Sequence, residues 1–241
     1  MSRVFEHCLA CFAASVDGKI TAPFTAQNPD AWVKLGTAKD LARLFTLRNT
    51  ADVICFGAST FRAWPSVRRG LIHQGNQALM PPRHVLFTTS WHLDWQAPLF
   101  KEWAVHQALW GPLFIASSSP APLDLPTELG AFLHVIALDK YASEHHQLQQ
   151  VKAAVVPFLA GKDSPTWMLE GGGQLFEFFL KAAAVDTLHL TVTPQLIGGL
   201  HTPSLVSGSG FSSQAWPTVT WTQIEHHAPE LYLTGAIQYA P

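Results

Sequence analysis

One stretch, Trp167 to Leu180, constrains the chain more than any other. The apolar run Trp167-Met168-Leu169 ends in the carboxylate of Glu170. Gly171, Gly172 and Gly173 follow, and an apolar helical pattern opens with Gln174, Leu175 and Phe176. This reads as a strand, a tight turn and a helix start. N–H groups at a helix start lack intrahelical partners and sit at the positive end of the helix dipole, so they attract an anion such as a phosphate. Glycine lets a ligand approach the backbone with no Cβ in the way. Glu170 falls at the strand's carboxyl end, where α/β proteins put ligand-contacting groups. The alternative is an ordinary strand-to-helix turn. The spacing is not the G-x-G-x-x-G fingerprint, which argues against a Rossmann domain.

The rest of the chain supplies strands for such a unit. Residues 7–14 read as a buried strand, closed by the turn Asp17-Gly18. Residues 22–36 read as an exposed loop containing Trp32. Thr37 is a candidate N-cap for a helix carrying Leu41, Leu44, Phe45 and Leu47 and ending at Arg48. Further strands are expected at 52–56, 83–89, 113–116, 133–138 and 166–169. Residues 62–82 read as irregular, and no element is assigned between Ser90 and Leu113. A helix is expected over 148–159, shortened by Pro157. In 187–193, Leu188, Leu190 and Val192 alternate with His189, Thr191 and Thr193, the pattern of a half-buried strand. Two late strands, near 218–226 and 230–239, suit an antiparallel pair. The expected fold is α/β, one domain over 1–241, with a mostly parallel sheet and an antiparallel C-terminal edge.

Composition narrows the function. Charged residues make up 13% and hydrophobic ones 48%, so the chain has the means to bury a core. A formal net charge of −2 gives no electrostatic case for nucleic acid or an anionic membrane. No apolar run reaches transmembrane length, and a soluble cytoplasmic protein is expected. Three cysteines cannot build a disulfide framework. Cys8 and Cys11 form a C-x-x-C inside a strand, where positions three apart face opposite ways, so neither redox nor zinc chemistry is expected. The pairs His145-His146 and His226-His227 lack a carboxylate at ligand spacing, and no metal site is expected.

Small or hydroxyl residues end several strands: Gly57 to Thr60, Ser90, Ser117 to Ser119, and the glycine run. If these ends share one crevice, they suit an extended phosphorylated ligand such as a dinucleotide.

Four blocks then carry a family resemblance. Ala13-Ala14-Ser15-Val16-Asp17-Gly18-Lys19-Ile20 resembles the A-x-S-x-D-G-K-I opening of the RibD-type reductase domain of bacterial riboflavin biosynthesis. Leu47-Arg48, Ala51-Asp52-Val53-Ile54 and Gly57-Ala58-Ser59-Thr60 resemble its second block. Leu169-Glu170-Gly171-Gly172 resembles its E-G-G block. Asp186-Thr187-Leu188, Pro194 and Gly198-Gly199 resemble its ending. The blocks fall in the family's order, from about residue 9 to 200.

The resemblance implies a three-layer, dihydrofolate-reductase-like fold, a homodimer, and NADPH as cofactor. It implies reduction of the ribosyl group of a 5-aminopyrimidine ribosylamino 5′-phosphate to a ribityl chain. Cofactor-binding positions would be Gly57, Thr60, Ser90, Gly171, Gly172, Gly173, Gln174 and Leu175. Substrate-binding positions would be Arg48, for a phosphate, and Glu170, for pyrimidine amino groups, with Glu170 the candidate catalytic residue. Asp17, Arg62 and Arg68 are further substrate-side candidates. From the residues alone, Arg48 reads rather as a surface arginine closing a helix. Two departures stand out. Cys11 occupies a position where many relatives have lysine, and 61–71 lacks the usual A-D-D-P. They leave open a related reductase acting on a pterin or folate, or a cofactor-binding protein without the activity. The family habit also places an aromatic such as Trp32 beside the cofactor. The zinc signature of the deaminase half found in bifunctional relatives is absent from the sequence.

Overall fold

A computed structural model describes residues 3–22, 35–73, 79–123, 125–159, 161–212 and 215–240. Trp32 lies outside them. Among these residues the strands are β1 (His7–Ser15), β2 (Val53–Gly57), β3 (Arg83–Phe87), β4 (Leu113–Ser117), β5 (Leu133–Ala137), β6 (Thr166–Glu170), β7 (Thr187–Thr193), β8 (Thr218–His227) and β9 (Glu230–Gln238). The helices are α1 (Ala38–Arg48), α2 (Ala58–Ala63), α3 (Pro98–Trp110), α4 (Glu144–Val155) and α5 (Gly173–Lys181). The strands make one sheet in the order β5-β4-β3-β2-β6-β1-β7-β9-β8. β1 to β7 run parallel, while β9 pairs antiparallel with β7 and β8. This is the α/β architecture expected from the alternation of elements, with the antiparallel edge at the C-terminal strands.

Period-two alternation on the strands builds two cores. Cys8, Ala10, Phe12 and Ala14 of β1 face one side, with α5 and α4 packed over them through Phe176, Phe179, Leu148 and Val151. Leu9 and Cys11 face the other side, where Leu44 and Leu47 of α1, Phe61 of α2 and Trp103 of α3 close the second core. Cys8 and Cys11 therefore sit on opposite faces of the sheet, as a strand requires, and both thiols are free. The layers are helices, sheet, helices.

The structure departs from the sequence reading in four places. α3 fills part of a stretch to which no element was assigned. Its apolar residues point both ways: Leu99, Phe100, Trp103 and Trp110 are buried, while Val105 and Leu109 are 77% and 63% exposed, so no single stripe shows. α2 is a six-residue helix where only a strand end was expected. α4 starts at Glu144 rather than 148, because Ser143 caps it by accepting from the His146 N–H, and a 3-10 turn at Val156–Phe158 absorbs Pro157. β7 is covered on both faces, not one. Arg43 of α1 donates to Thr191 Oγ1 at 3.2 Å, lies 3.3 Å from His189 Nδ1, and reaches Thr234 Oγ1 at 3.2 Å.

Candidate active site

The carboxyl ends of β1, β2, β3, β4 and β6 open on one crevice of about 850 Å³. In sheet order β6 lies between β2 and β1 although it comes late in the chain. That reversal is where open α/β sheets leave a gap above their strands. Gly57, Thr60, Ser90, Gly171, Gly172, Gly173, Gln174 and Leu175 all line the crevice, so the strand ends picked out in the sequence do converge. Glu170, Arg62 and Arg68 line it as well. Arg48 and Asp17 are not among the lining residues.

The glycine run has the conformation its composition suggests. Gly171 and Gly172 have φ of +71° and +88°, values that L side chains rarely adopt. Gly172 is the N-cap residue of α5, and the Phe176 N–H closes the first helical bond on its carbonyl at 2.9 Å. The N–H groups of Gly173, Gln174 and Leu175 precede that bond and have no intrahelical acceptor. Gly173 is needed for a different reason. A Cβ there would come within 2.1 Å of Ser204 O, because the 204–207 segment closes against the helix start.

Glu170 is held at the floor, 6% exposed. Arg48 grips it with Nε to Oε1 at 2.6 Å and Nη2 to Oε2 at 2.6 Å, a bidentate pair. Arg48 is 1% exposed, so it is not a surface arginine, and its cation faces Glu170 rather than the crevice. Its guanidinium also lies over the Trp64 ring at 4.9 Å. Direct contact between Arg48 and a phosphate would require this pair to open.

Arg68 is a second buried cation beside the same carboxylate, with Nε 3.7 Å from Glu170 Oε2. Its Nη groups donate to the carbonyls of Trp64, Ser66 and Thr60. Nε has no hydrogen-bond partner among the described residues. Burial pulls the Arg68 pKa down to about 9, with Glu170 opposing the shift and Arg48 adding to it. His84 fixes the backbone here: its Nε2 accepts from the Arg68 N–H at 2.7 Å, so Nδ1 carries the proton given to Pro82 O at 2.7 Å. Burial lowers the His84 pKa well below the ordinary histidine value, in keeping with that neutral tautomer. Floor charges are thus one carboxylate and two guanidiniums. Arg62 stands exposed at the rim, where Nη1 reaches His92 O at 3.4 Å.

Cys11 pairs in register with Glu170 across β1 and β6 and lines the crevice. Burial, then the Glu170 carboxylate, push its thiol up to about 12, so it stays protonated at neutral pH. Asp17 works away from the crevice. It accepts from Ser15 Oγ at 2.6 Å and from the N–H groups of Ile197 and Gly198 at 3.0 and 2.6 Å, tying the turn after β1 to the loop after β7. Those bonds, the Ser15 hydroxyl first, hold its carboxyl at about 2.

Sequence reasoning missed Trp64, His84, Thr21 and Thr202. Trp64 and His84 act through the arginines they touch. The two threonines are brought to the crevice by loops, and no periodicity marks them.

Comparison with known proteins agrees with this architecture. The RibD C-terminal domain family model matches residues 7–233. The riboflavin biosynthesis protein RibD of Bacillus amyloliquefaciens is 29% identical over 226 residues, covering 92% of this chain and 55% of that protein. The chain thus spans about half the length of that relative. Among solved structures, the pyrimidine reductase-like protein of Corynebacterium diphtheriae matches with a TM-score of 0.67 at 20% identity, over 96% of this chain and 92% of that one. RibD of Acinetobacter baumannii matches at 0.69 and 15%, over 99% and 59%. The riboflavin biosynthesis reductase Rib7 of Saccharomyces cerevisiae matches at 0.63 and 15%, over 99% and 92%. With the family model matching nearly the whole length and the same fold in these structures, the chain belongs to the RibD C-terminal domain family.

Proposed function

We propose that the chain is an NADPH-dependent reductase of riboflavin biosynthesis. Its reaction would reduce the ribosyl group of a 5-aminopyrimidine ribosylamino 5′-phosphate to a ribityl chain. The observation that carries this reading is the meeting, in one crevice, of the α5 helix start with the buried Arg48–Glu170–Arg68 cluster. The first suits a pyrophosphate and the second a polar, charged substrate.

The residues present fit the cofactor. Open N–H groups at Gly173, Gln174 and Leu175 supply donors for a pyrophosphate. A Cβ built on Gly172 would stand in ordinary contact with Thr60 Oγ1 at 3.6 Å and Ser59 Oγ at 3.8 Å, so two hydroxyls lie beside the turn. Ser90 lines the same crevice. When bound, the nicotinamide supplies the hydride that the reduction needs. The protein's share is position and charge. Each Glu170 oxygen bound to Arg48 keeps a further lone pair, with which it accepts from pyrimidine amino groups. Arg62 at the rim and Arg68 in the floor supply cations for the substrate phosphate. Arg48 acts through Glu170, holding its carboxylate oriented.

Cys11 and the altered 61–71 segment keep a second reading in view, a related NADPH reductase with a pterin or folate substrate. The deciding experiment follows NADPH oxidation spectrophotometrically with the phosphoribosylaminopyrimidine and with dihydrofolate in parallel. Turnover of the first supports the riboflavin reading and turnover of the second the alternative. NADPH binding with neither turnover would mark a cofactor-binding protein without this activity. The same reading takes the protein as a cytoplasmic homodimer, and a monomeric mass in light scattering at micromolar concentration would count against the dimer.

A further inference from the structure

Two hydroxyls on the crevice wall bond nothing among the described residues. Thr21 is 7% and Thr202 5% exposed, and Oγ1 of each is buried without a hydrogen-bond partner among the described residues. Both residues line the crevice. They belong to two segments that meet as a short antiparallel ribbon. Lys19 bridges to Ser204. The Ile20 N–H donates to Pro203 O at 3.0 Å, and the Leu205 N–H to Gly18 O at 2.9 Å. Pro203, lacking an N–H, ends the pairing there, and Thr21 and Thr202 follow on the two segments just beyond it.

Both segments carry their threonine to the wall of the same crevice. Lys19 Nζ donates to Thr202 O and Ser204 Oγ, each at 3.2 Å. The lysine therefore serves the carbonyl and the neighbouring hydroxyl, and leaves the two threonine hydroxyls unmet. Buried polar groups are normally hydrogen-bonded, so two unmet hydroxyls on one crevice wall point to a ligand.

Their chemistry names its class. Each hydroxyl can donate once and accept. Side by side, one can give a proton to a C=O while the other accepts from an adjacent N–H. No lysine or arginine that lines the crevice belongs to this ribbon, as an anion would favour. We propose that Thr21 and Thr202 form a subsite for an amide edge, a C=O beside an N–H. This rests on the reductase reading, which brings two such edges to the crevice: the carboxamide of the nicotinamide and the ring amide of the pyrimidine.

The test uses the full chain with Thr21→Val and Thr202→Val, which keep shape and remove the hydroxyl, and Thr21→Ser and Thr202→Ser, which keep the hydroxyl. Calorimetric titration compares NADPH, 2′-phospho-ADP-ribose (which lacks the nicotinamide) and the phosphoribosylaminopyrimidine. Each valine should weaken one amide-bearing ligand about three- to tenfold. The serine variants should bind like the parent. Ligand-free melting temperatures of the valine variants should not fall, since the hydroxyls bond nothing among the described residues. Weaker NADPH with unchanged 2′-phospho-ADP-ribose assigns the subsite to the carboxamide, and weaker pyrimidine alone assigns it to the substrate. Equal weakening of NADPH and 2′-phospho-ADP-ribose overturns the proposal, as does unchanged binding of all three, or a lowered melting temperature. A parent protein that binds none of the three sinks the reductase reading itself, which is a different result.

Discussion

Arg48→Met should destabilise the protein severely, and Glu170→Gln more severely still. The order follows from the charges at the crevice floor. Arg48, Arg68 and Glu170 are 1%, 0% and 6% exposed, so solvent screens none of them well. Without Arg48, Glu170 loses two bonds of 2.6 Å but keeps Arg68 at 3.7 Å, and the remaining charges cancel. Without the carboxylate charge, two guanidiniums remain buried together without the carboxylate that pairs with both. Removing one partner of a buried pair costs about 3–5 kcal/mol. Arg48→Met belongs at about the lower figure, because Arg68 stands in, and Glu170→Gln at about the upper or beyond. At roughly 2–4 °C per kcal/mol for a chain of this size, the melting temperature should fall by about 6–12 °C for Arg48→Met, and further for Glu170→Gln. Scanning calorimetry with urea denaturation as a second probe measures both. Inorganic phosphate should recover more of the loss in Glu170→Gln than in Arg48→Met, because only the former carries excess positive charge at the floor. If Glu170→Gln melts at or above Arg48→Met, the three charges do not form the unit described.

Three other outcomes follow. Gly172→Val places a β-branched residue at φ +88°, a strain of about 1–3 kcal/mol, so the fold should survive while NADPH binding is lost; titration calorimetry at parental affinity would mean that the cofactor lies elsewhere. Arg62→Ala should raise KM for the phosphorylated substrate about ten- to a hundredfold and leave NADPH affinity alone; the same KM for parent and variant would take Arg62 off the substrate path. His189 should make the fold acid-sensitive. Burial, then the Arg43 cation, lower its pKa from 6.5 to about 4, so the unfolded chain takes up a proton that the folded chain refuses. Its contribution is complete above pH 6.5 and declines as pH falls toward 4. His189→Gln should flatten that part of the urea-midpoint profile, and an unchanged slope would refute it.

Much of this was readable in the sequence wherever one local rule governed. The alternation in 187–193 located β7, Thr37 capped α1 as its chemistry suggests, and the three glycines marked the turn into α5. The crevice was readable for the same reason: strand ends in a parallel sheet point one way, so Thr60, Ser90 and Gly171 had to meet if the strands were right. Legibility ended where distant parts of the chain pair. Arg48 and Glu170 are 122 positions apart. The resemblance makes each a ligand contact, and only the fold reveals that they face each other. β7 was read as half-buried because no local pattern shows that Arg43, from a helix far earlier in the chain, covers its polar face. α3 escaped because its exposed apolar residues erase the stripe that would announce a helix.

The arginine–glutamate pair also changes what the E-G-G block means. A carboxylate at a strand end, read alone, is a free acceptor waiting for substrate. Bound bidentately by Arg48, it is fixed before any ligand arrives, and it cannot rotate to follow one. That suits a reaction whose chemistry resides in the cofactor and whose protein must mainly hold a substrate at one angle. The glycine turn that follows is fixed at both ends, by the Glu170 pair on one side and by the 204–207 segment against Gly173 on the other. Helix start and carboxylate thus share one rigid frame. A change that loosens Glu170 should therefore weaken cofactor binding as well as substrate binding. The size of that cross-effect in Arg48→Lys, which keeps the charge but loses the bidentate grip, measures how rigid the frame is. If Arg48→Lys changed substrate affinity alone, the two halves of the crevice would be independent and the frame would not exist.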